Sequence, residues 1–456
     1  MMEYNRKILQ QKQIEELEMA LISTFKKGGV HPQDKKELSR DANIETLPLP
    51  SILTVSMSQH LGSPATCLKK KGDEVKKGEK IGSASAFISA DVHSPVDGVV
   101  KEVKKVRLAN GVLADALIII PNSEQTTTFD TYYDWHQCSS EELLAMVKEY
   151  GIVGMGGATF PTSVKFQIPP GKEVDAFVVN GVECEPYLTS DYRVMMEKGE
   201  QVLQGVMIAS KILNPKRRII GIELNKKDAI AHLETLIKEK GYPIEIMGLK
   251  MKYPQGDEKQ LLKATIGKEI PSGKLPLDIG AVVCNLGTVN ALYEAVCYHK
   301  PLIERVVTVS GEGINTPKNV LALVGTKVSD LLSYCGGLKE DKVERLVSGG
   351  PMMGFAFADE DVPVVKGTSG ILALVKGKEL KQLPCVSCGN CVRHCPMGLS
   401  PNKMYRNIMN GNYQEALDLG LLDCKECGCC SFSCPSALNL VQAFKLGKKM
   451  MRRLKK

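Results

Sequence analysis

Residues 385–396 read CVSCGNCVRHCP and residues 424–435 read CKECGCCSFSCP, so both stretches share the spacing C-x2-C-x2-C-x3-C-P. Three cysteines two residues apart wrap one face of a [4Fe–4S] cluster, and the fourth, about one helical turn later, ligates the other cluster of a two-cluster protein. The predicted ligands of the first cluster are Cys385, Cys388, Cys391 and Cys434. Those of the second cluster are Cys395, Cys424, Cys427 and Cys430.

Zinc is the alternative metal for these cysteines. Structural zinc sites use paired C-x2-C halves and need no third cysteine in each run, so the spacing favours iron–sulfur clusters. Cys429 stands between two predicted ligands, and we interpret it as a buried thiol outside the ligand set. The same interpretation applies to the cysteines without ligand spacing, which are Cys67, Cys138, Cys184, Cys284, Cys297 and Cys335.

The segment between the two motifs, residues 399–423, predicts helices. Its apolar residues Met404, Ile408, Leu417 and Leu421 recur at near-helical spacing. We therefore expect the two motifs in an α-helical two-[4Fe–4S] ferredoxin-type domain rather than in a compact small ferredoxin.

The whole chain has 456 residues, 43% of them hydrophobic and 24% charged, which is enough for more than one buried core. The net charge is +7, and residues 445–456, KLGKKMMRRLKK, carry seven Lys or Arg and no acid. The rest of the chain is formally neutral, which argues against a nucleic-acid binder and indicates a local basic tail. No run approaches the ~18 apolar residues of a membrane span and the start has no apolar leader, so we expect a cytoplasmic protein without a transmembrane segment.

The middle of the chain, residues 126–301, alternates β-rich runs with helical segments, which predicts a Rossmann-like α/β domain. At its front, residues 151–166 read GIVGMGGATFPTSVKF. Glycines in this loop leave room for a phosphate or a ring against the backbone, and Lys165 supplies a cation. A glycine cluster of this kind is also consistent with a tight turn that binds nothing.

Four stretches of this region resemble, in order and spacing, the FMN- and NADH-binding flavoprotein subunit of respiratory complex I. They are GIVGMGGATFPTSVKF (151–166), VVNGVECEPYLTSDYR (178–193), YPQGDEKQLLKATIGKEIPSGKLP (253–276) and VVCNLGTVNALYEAV (282–296). The resemblance implies FMN as a cofactor and NADH as a substrate. The matching FMN residues are Gly154, Gly156, Gly157, Lys165, Asn180, Glu183, Tyr253, Gly256, Asp257, Glu258, Asn285 and Thr288. The matching NADH residues are Phe160, Glu185, Glu258 and Lys274.

Hydride transfer from nicotinamide to flavin requires that the two rings be positioned rather than that the protein supply an acid or base. We therefore expect no catalytic residue, with Glu185 as the candidate that positions NADH. Glu183 and Glu185 taken singly are also consistent with a solvated loop. The departures from the complex I pattern are Met155 for Arg, Thr159 for Gly, and Ile168 and Leu277 for aromatic residues at the adenine end.

The flanking segments are β-rich. Residues 72–84, GDEVKKGEKIGSA, and 92–103, VHSPVDGVVKEV, resemble biotinyl/lipoyl-type barrel-sandwich domains without the carrier lysine. Residues 306–337 predict strand, turn, strand and helix, as in a small β-grasp domain. The expected divisions are a helical extension (1–27), a barrel-sandwich hybrid (28–125), the FMN/NADH α/β domain (126–301), the β-grasp domain (302–375), the ferredoxin-type domain (376–442) and the basic tail (443–456).

From FKKGGVHP at residues 25–32 to the paired cysteine motifs, the order of these segments resembles the RnfC family, which supplies one subunit of the Rnf electron-transport complexes. The resemblance implies a peripheral subunit on the cytoplasmic side of the cell membrane that passes electrons from NADH through FMN and two [4Fe–4S] clusters. Its implied partners are the membrane and ferredoxin-like subunits of the complex. The implied reaction is reversible NADH:ferredoxin oxidoreduction coupled to Na+ or H+ translocation.

Two other functions are compatible with the same segments. One is a soluble NADH-dependent reductase, such as a corrinoid reductase or an electron donor to a selenoenzyme. The other is an electron-wiring scaffold whose flavin site is vestigial. The long segment before Gly151 and its GGVHP motif favour the Rnf subunit over the soluble reductase.

The two ends of the chain predict helices. Residues 1–24 place Ile8, Ile14, Leu17 and Leu21 at helical spacing, in an extension that the Rnf family often lacks. The basic tail places Leu446, Met450 and Leu454 four residues apart with cations on the other faces. Such a helix binds an anionic membrane surface, and a solvated terminus is the alternative.

Overall fold

The computed structural model describes residues 23–339, 342–377 and 381–454. Residues 1–22, which carry most of the predicted N-terminal helix, lie outside the described residues. The described chain forms four β-sheets and a C-terminal group of helices. None of its described helices is both long and apolar enough to cross a membrane.

The barrel-sandwich segment consists of two small antiparallel sheets, and a separate short strand precedes it. Strands β2, β8, β7 and β4 form one sheet, and β3, β5 and β6 form the other. Apolar side chains such as Val55, Ile81 and Ile119 fill the core between them. The strands of this part are β1 (Ile44–Thr46), β2 (Leu53–Ser56), β3 (Thr66–Cys67), β4 (Glu74–Val75), β5 (Lys80–Ser83), β6 (Val92–His93), β7 (Gly98–Arg107) and β8 (Leu113–Pro121).

The middle of the chain forms a parallel sheet in the order β11-β10-β9-β12. Its strands are β9 (Ala176–Asn180), β10 (Arg217–Glu223), β11 (Glu245–Leu249) and β12 (Ala281–Asn285). Its helices are α1 (Ser140–Glu149), α2 (Thr162–Phe166), α3 (Ser190–Glu197), α4 (Gly199–Leu213), α5 (Lys227–Lys240), α6 (Glu258–Thr265) and α7 (Leu286–Tyr298). This architecture confirms the predicted α/β class.

Helices cover both faces of this parallel sheet. On one face, Val206 of α4 and Val289 of α7 share a core with Val179 of β9. On the other face, Leu261 of α6 shares a core with Val178 of the same strand. Because both faces are buried, the strands carry continuous apolar runs rather than an alternating pattern.

A six-stranded mixed sheet follows, in the order β1-β14-β13-β17-β15-β16. Its new elements are β13 (Glu304–Ser310), β14 (Lys318–Leu323), α8 (Val328–Tyr334), β15 (Val343–Ser348), β16 (Phe355–Phe357) and β17 (Gly370–Val375). The first three confirm the predicted strand, turn, strand and helix. Strand β1 pairs in parallel with β14, although the sequence division groups it with the barrel sandwich. Three residues are too short to carry a pattern that assigns a strand to one sheet.

The ferredoxin-type region is helical, as the spacer pattern predicts. Met404, Ile408 and Leu421 are buried in its core together with Phe444. The helices are α9 (Asn390–Arg393), α10 (Pro401–Met409), α11 (Tyr413–Asp418), α12 (Cys429–Phe432) and α13 (Leu440–Leu454).

The basic tail is the second half of α13, and it packs differently from the prediction. Leu446, expected on the apolar face, is 46% exposed. The packed face instead carries Phe444, Gly447 and Met451, all of which are buried. The tail is therefore anchored on the ferredoxin-type core, and its outward face is basic.

Candidate functional site

The candidate site begins at the carboxyl edge of the parallel sheet. From β9 the chain adds β10 and β11 on one side and later adds β12 on the other, so the winding reverses between β9 and β12. Asn180 and Asn285 end these two strands and are register partners. Ligands of open α/β sheets bind outside the carboxyl ends of the strands at such a reversal. The topology therefore places both asparagines at a binding crevice.

The glycine-rich loop, residues 151–160, lies against this crevice. The Met155 N–H donates to Thr288 Oγ1 at 2.9 Å, and Thr288 lies in the first turn of α7. The Gly154 N–H donates to the Phe160 carbonyl at 2.8 Å, which closes the loop on itself. These bonds bring together residues that are far apart in the predicted set.

Two glycines of the loop are needed for different reasons. A Cβ atom on Gly156 would lie 3.2 Å from the Cβ of Asn285, so glycine allows the loop to touch the end of β12. Gly157 has a φ of +66°, and a Cβ atom there would meet nothing within 4 Å. The loop backbone therefore borders open space next to Asn285, which is what a bound ring or phosphate requires.

Asn285 tests whether this crevice fits a flavin. Its Nδ2 donates to Asp191 Oδ2 at 2.7 Å, whereas its Oδ1 is buried and accepts no hydrogen bond within the described residues. A buried acceptor without a partner costs about 1–3 kcal/mol, which a ligand with N–H or O–H donors removes. A flavin and its ribityl chain supply such donors, so the residues present fit FMN.

Glu183 is buried and not part of a solvated loop. Its backbone is left-handed, with a φ of 45°. Its carboxylate accepts the N–H of Asp191 at 2.7 Å and that of Tyr192 at 3.4 Å, and it lies 4.0 Å from the Lys36 ammonium. Burial raises the pKa of Glu183 to about 7. In the structure as described, Glu183 thus caps the start of α3 behind the crevice.

The loop before α6 is held by short polar contacts. The Asn180 Nδ2 donates to the Gly256 carbonyl at 2.8 Å, and the Gly256 N–H donates to Cys184 Sγ at 3.3 Å. Asp257 accepts two N–H groups of the first turn of α6, at 3.1 and 3.3 Å, and burial raises its pKa. Asp257 is therefore the N-cap of α6, and Gly256 lies beside Asn180 at the crevice.

The remaining predicted residues are less closely grouped. Lys165 Nζ donates to the Val283 carbonyl at 2.9 Å and lies 3.7 Å from Glu258 Oε1, so this pair joins α2, β12 and α6. Lys274 lies on an exposed turn, and its side chain makes no hydrogen bond or ion pair to another predicted residue within the described part of the chain. The structure brings Lys165 and Glu258 together and leaves Lys274 apart.

Glu185, the predicted NADH-positioning residue, has partners outside the α/β domain. Its carboxylate accepts the N–H groups of Met352 at 3.0 Å and Met353 at 2.9 Å, which lie in the turn between β15 and β16. A Cβ atom on Gly350 would overlap this carboxylate, so the glycine allows the turn to approach. Burial raises the pKa of Glu185 to about 7.

Tyr253 joins the flavin crevice to the second cysteine motif. Its hydroxyl donates to the Cys427 carbonyl at 2.9 Å and lies 3.4 Å from Glu185 Oε1. Its backbone exchanges two hydrogen bonds of 2.9 Å with Val30. The side chain is 2% exposed, so the flavin domain and the second motif meet in a buried contact.

The thiols predicted to hold the second cluster line one cavity. They are Cys395, Cys424, Cys427 and Cys430, and Cys429 also borders the space. Among the described residues no three His, Cys, Asp or Glu side chains are close enough to share a single metal ion, so these thiols surround a space rather than a point. Four thiols around a cavity match the donor set of a [4Fe–4S] cluster.

The first motif is more open. Cys391 is buried, and its thiol pKa is raised mainly by burial, with Cys434 and Cys385 close enough to add to the increase. Cys385 and Cys388 are exposed. The structure therefore brings three of the four predicted ligands near one another, at the surface of the protein.

The GGVHP motif contributes to a strap where the cysteine motifs meet the flavin domain; we define the strap as residues 25–30. A Cβ atom on Gly28 would lie 2.4 Å from the carbonyl carbon and oxygen of Cys395. The Gly29 N–H donates to the His394 carbonyl at 2.9 Å. The strap thus holds the crossing cysteine of the first motif next to Tyr253.

Sequence reasoning missed two buried cations near the crevice. Lys36 donates to the Glu185 carbonyl at 3.0 Å and the Leu188 carbonyl at 2.5 Å, under the loop that carries Glu183. Arg305 of β13 donates to the Met155 carbonyl at 3.2 Å. Each cation is far from its acceptor along the chain and lies in no motif, so the sequence carried no signal for it.

Family comparisons match all four parts of the described architecture. A family described as "RnfC Barrel sandwich hybrid domain" matches residues 23–124, and "Nuo51 FMN-binding domain" matches residues 147–294. The "SLBB domain" matches residues 306–356, and the "4Fe-4S dicluster domain" matches residues 378–435. Each description agrees with the fold found for that segment.

Relatives match most of the chain, and each is the C-type component of a multisubunit complex. That of the proton-translocating ferredoxin:NAD(+) oxidoreductase complex of Clostridium ljungdahlii is 43% identical over 88% of this chain and 88% of its own. That of the ion-translocating oxidoreductase complex of Rhodobacter capsulatus is 41% identical over 92% and 82%. That of the Na(+)-translocating ferredoxin:NAD(+) oxidoreductase complex of Acetobacterium woodii is 40% identical over 83% and 86%.

One solved structure shares the fold at low identity. It is described as an NAD+-reducing [NiFe]-hydrogenase in the H2-reduced state, with a TM-score of 0.50 and 15% identity over 68% of this chain and 61% of that chain. At this identity the likeness concerns the fold alone.

Proposed function

The chain belongs to the RnfC family of ion-translocating ferredoxin:NAD(+) oxidoreductase (Rnf) complexes, and on this premise we propose that it is their electron-input subunit. It takes electrons from NADH through FMN and two [4Fe–4S] clusters to other subunits. The overall reaction is reversible NADH:ferredoxin oxidoreduction coupled to Na+ or H+ translocation.

The contact between Tyr253 and Cys427 carries the proposal. A residue of the flavin crevice donates a 2.9 Å hydrogen bond to the loop that holds the second set of thiols. Since the cysteines of the first motif lie at the surface, the contact supports the order flavin, second cluster, first cluster and partner. The first cluster is then the point of electron exit.

The residues of the chain hold and orient rather than react. Bound FMN would convert the two-electron donor NADH into a source of single electrons for the clusters. Gly156 and Gly157 leave the crevice open, Asn285 offers a buried acceptor, and Thr288 fixes the loop. No acid or base is required of the protein, which is consistent with a crevice of amides and backbone.

The relatives are components of multisubunit complexes, so other subunits are the partners of this chain. We place the protein at the cytoplasmic side of the membrane, where a ferredoxin-like subunit receives its electrons. Lys449, Arg452 and Arg453 are exposed on α13 and form the basic outward face that would contact the membrane or an acidic subunit.

Cofactor content and reduction by NADH test the electron route. After anaerobic purification and reconstitution, we expect about eight iron and one FMN per chain, and NADH bleaches both chromophores and produces cluster EPR signals. About eight iron without FMN, and no response to NADH, would leave only a cluster scaffold.

The basic face is tested with a Lys449→Gln, Arg452→Gln and Arg453→Gln variant, because the buried face of α13 stays intact. We expect less protein in the membrane fraction and unchanged NADH oxidation with an artificial acceptor. Binding to membranes equal to that of the wild type would contradict this role and favour the alternative of a soluble reductase.

A further inference from the structure

Lys366 is a buried cation that the electron route does not use. It lies between β16 and β17 and is 1% exposed. Its Nζ donates to the Asp91 carbonyl at 2.8 Å and to the Gly151 carbonyl at 2.7 Å. Lysine is seldom fully buried, and here its hydrogen-bond acceptors are backbone carbonyls of two other segments. One of them, Gly151, is the first residue of the glycine-rich loop.

The segment that carries Lys366 touches this loop at further points. The Lys366 carbonyl accepts a hydrogen bond of 2.6 Å from Arg305 Nη1, and the same Nη1 donates to the Met155 carbonyl at 3.2 Å. A Cβ atom on Gly367 would lie 2.5 Å from Thr159 Oγ1. The beginning, middle and end of the loop are therefore each held from the six-stranded sheet.

The barrel sandwich holds the loop from the other side. The Leu61 N–H donates to the Thr159 carbonyl at 3.1 Å. A Cβ atom on Gly151 would lie 2.3 Å from the Asp91 carbonyl oxygen and 2.8 Å from Lys366 Nζ. Gly151 is thus enclosed by two segments that both lie outside the α/β domain.

We propose that Lys366 is a positioning residue that holds residues 151–160 in the flavin-binding conformation, so that the two flanking domains set the affinity for FMN. The inference rests on the proposed flavin function, since it assigns this loop to FMN. It predicts that the α/β domain alone does not specify a competent crevice.

The chemistry of the amine agrees with this role. Burial lowers the pKa of Lys366 to about 7. A neutral amine has two N–H donors, and two carbonyls receive them. The amine therefore satisfies both loop-side and barrel-side acceptors without a buried counter-charge.

The test compares two loop-side variants with a control in the same segment. Lys366→Met removes the donors and keeps the side-chain length, and Gly367→Ala pushes on Thr159 while leaving Lys366 in place. The control Val364→Ala removes two methyl groups from the β-grasp core, where Val364 is 0% exposed. All are made in the full-length chain with its clusters reconstituted.

FMN itself is titrated by the quenching of its fluorescence, and hydrogen exchange of residues 151–160 is followed without FMN. Loss of two hydrogen bonds that order the loop is expected to weaken FMN binding about ten-fold or more in Lys366→Met. Gly367→Ala is expected to weaken it in the same direction. Loop amides exchange faster in both variants, and Val364→Ala lowers the unfolding temperature without changing FMN affinity.

Equal FMN affinity and equal loop exchange in wild type and Lys366→Met would overturn the inference. An affinity loss in Val364→Ala as large as that in Lys366→Met would also overturn it, because a general loss of stability would then explain both. If the wild type binds no FMN, the proposed function fails, whereas the exchange of the loop amides still decides the role of Lys366.

Discussion

Replacement of Gly28 by alanine should detach the strap from the second cluster. Gly28 has a φ of +66°, and the added Cβ would lie 2.4 Å from the Cys395 carbonyl and 2.7 Å from the Pro396 nitrogen. Both neighbours are backbone atoms, so no side chain can rotate away to make room. The strap must move by about 1 Å to reach an ordinary contact distance near ~3.5 Å.

The size of the effect follows from what this movement breaks. A left-handed φ costs alanine about 1–2 kcal/mol relative to glycine. A shift of about 1 Å lengthens the 2.9 Å bonds that Gly29 makes to His394 and that Val30 exchanges with Tyr253 beyond hydrogen-bond range. At about 1 kcal/mol for each of these three bonds, the total is about 4–5 kcal/mol.

Gly72→Ala is the matched control for this variant. Gly72 has a φ of +89°, and a Cβ atom there would meet nothing within 4 Å, so this variant bears only the cost of its backbone conformation. We expect Gly28→Ala to lose the cluster absorbance and about half of the iron on mild heating, while Gly72→Ala keeps both. Identical cluster loss in the two variants would refute the steric reasoning.

Three further results are expected. Cys395→Ser should remove one cluster, leaving about four of about eight iron, whereas Cys335→Ser, in the β-grasp core, should keep all of it; iron and EPR analysis decide, and full iron in Cys395→Ser would reject the ligand assignment. Burial raises the pKa of Glu185 from 4.5 to about 7, so the stability that its neutral form contributes is lost as the pH rises through this range; the unfolding temperature of Glu185→Gln relative to wild type should therefore increase from pH 5 to pH 8, and Glu269→Gln, exposed, should show no such trend. Thr159→Gly should stabilise the loop by about 1 kcal/mol because Thr159 has a φ of 55°, and a lower unfolding temperature would contradict that strain.

Local patterns in the chain predicted much of this protein. The cysteine spacing indicated two clusters because ligation of one cluster face depends on residues only a few positions apart. The alternation of apolar strands and amphipathic helices indicated the α/β domain, because burial imposes its period on neighbouring residues. Even so, Leu446 was expected on a packed face and is exposed, since the face that α13 buries is chosen by its neighbours in space.

Contacts between distant segments could not be predicted in this way. Gly28 belonged to a noticed motif, but its role depends on the backbone of Cys395 lying within van der Waals distance. Glu185 was expected to contact NADH, yet its described partners are amides at Met352 and Met353, more than 160 residues away. Such pairs leave no periodic signal in either segment.

The clearest example is the glycine-rich loop. Its glycines announce a backbone that can approach a ligand, because only glycine lacks the Cβ atom that would prevent it. The shape of that backbone is set by Lys366 and Arg305, which reach the loop from 215 and 150 positions along the chain. The chemistry of the site is thus encoded in short motifs, whereas its geometry arises when four segments pack together and satisfy one another's buried polar groups.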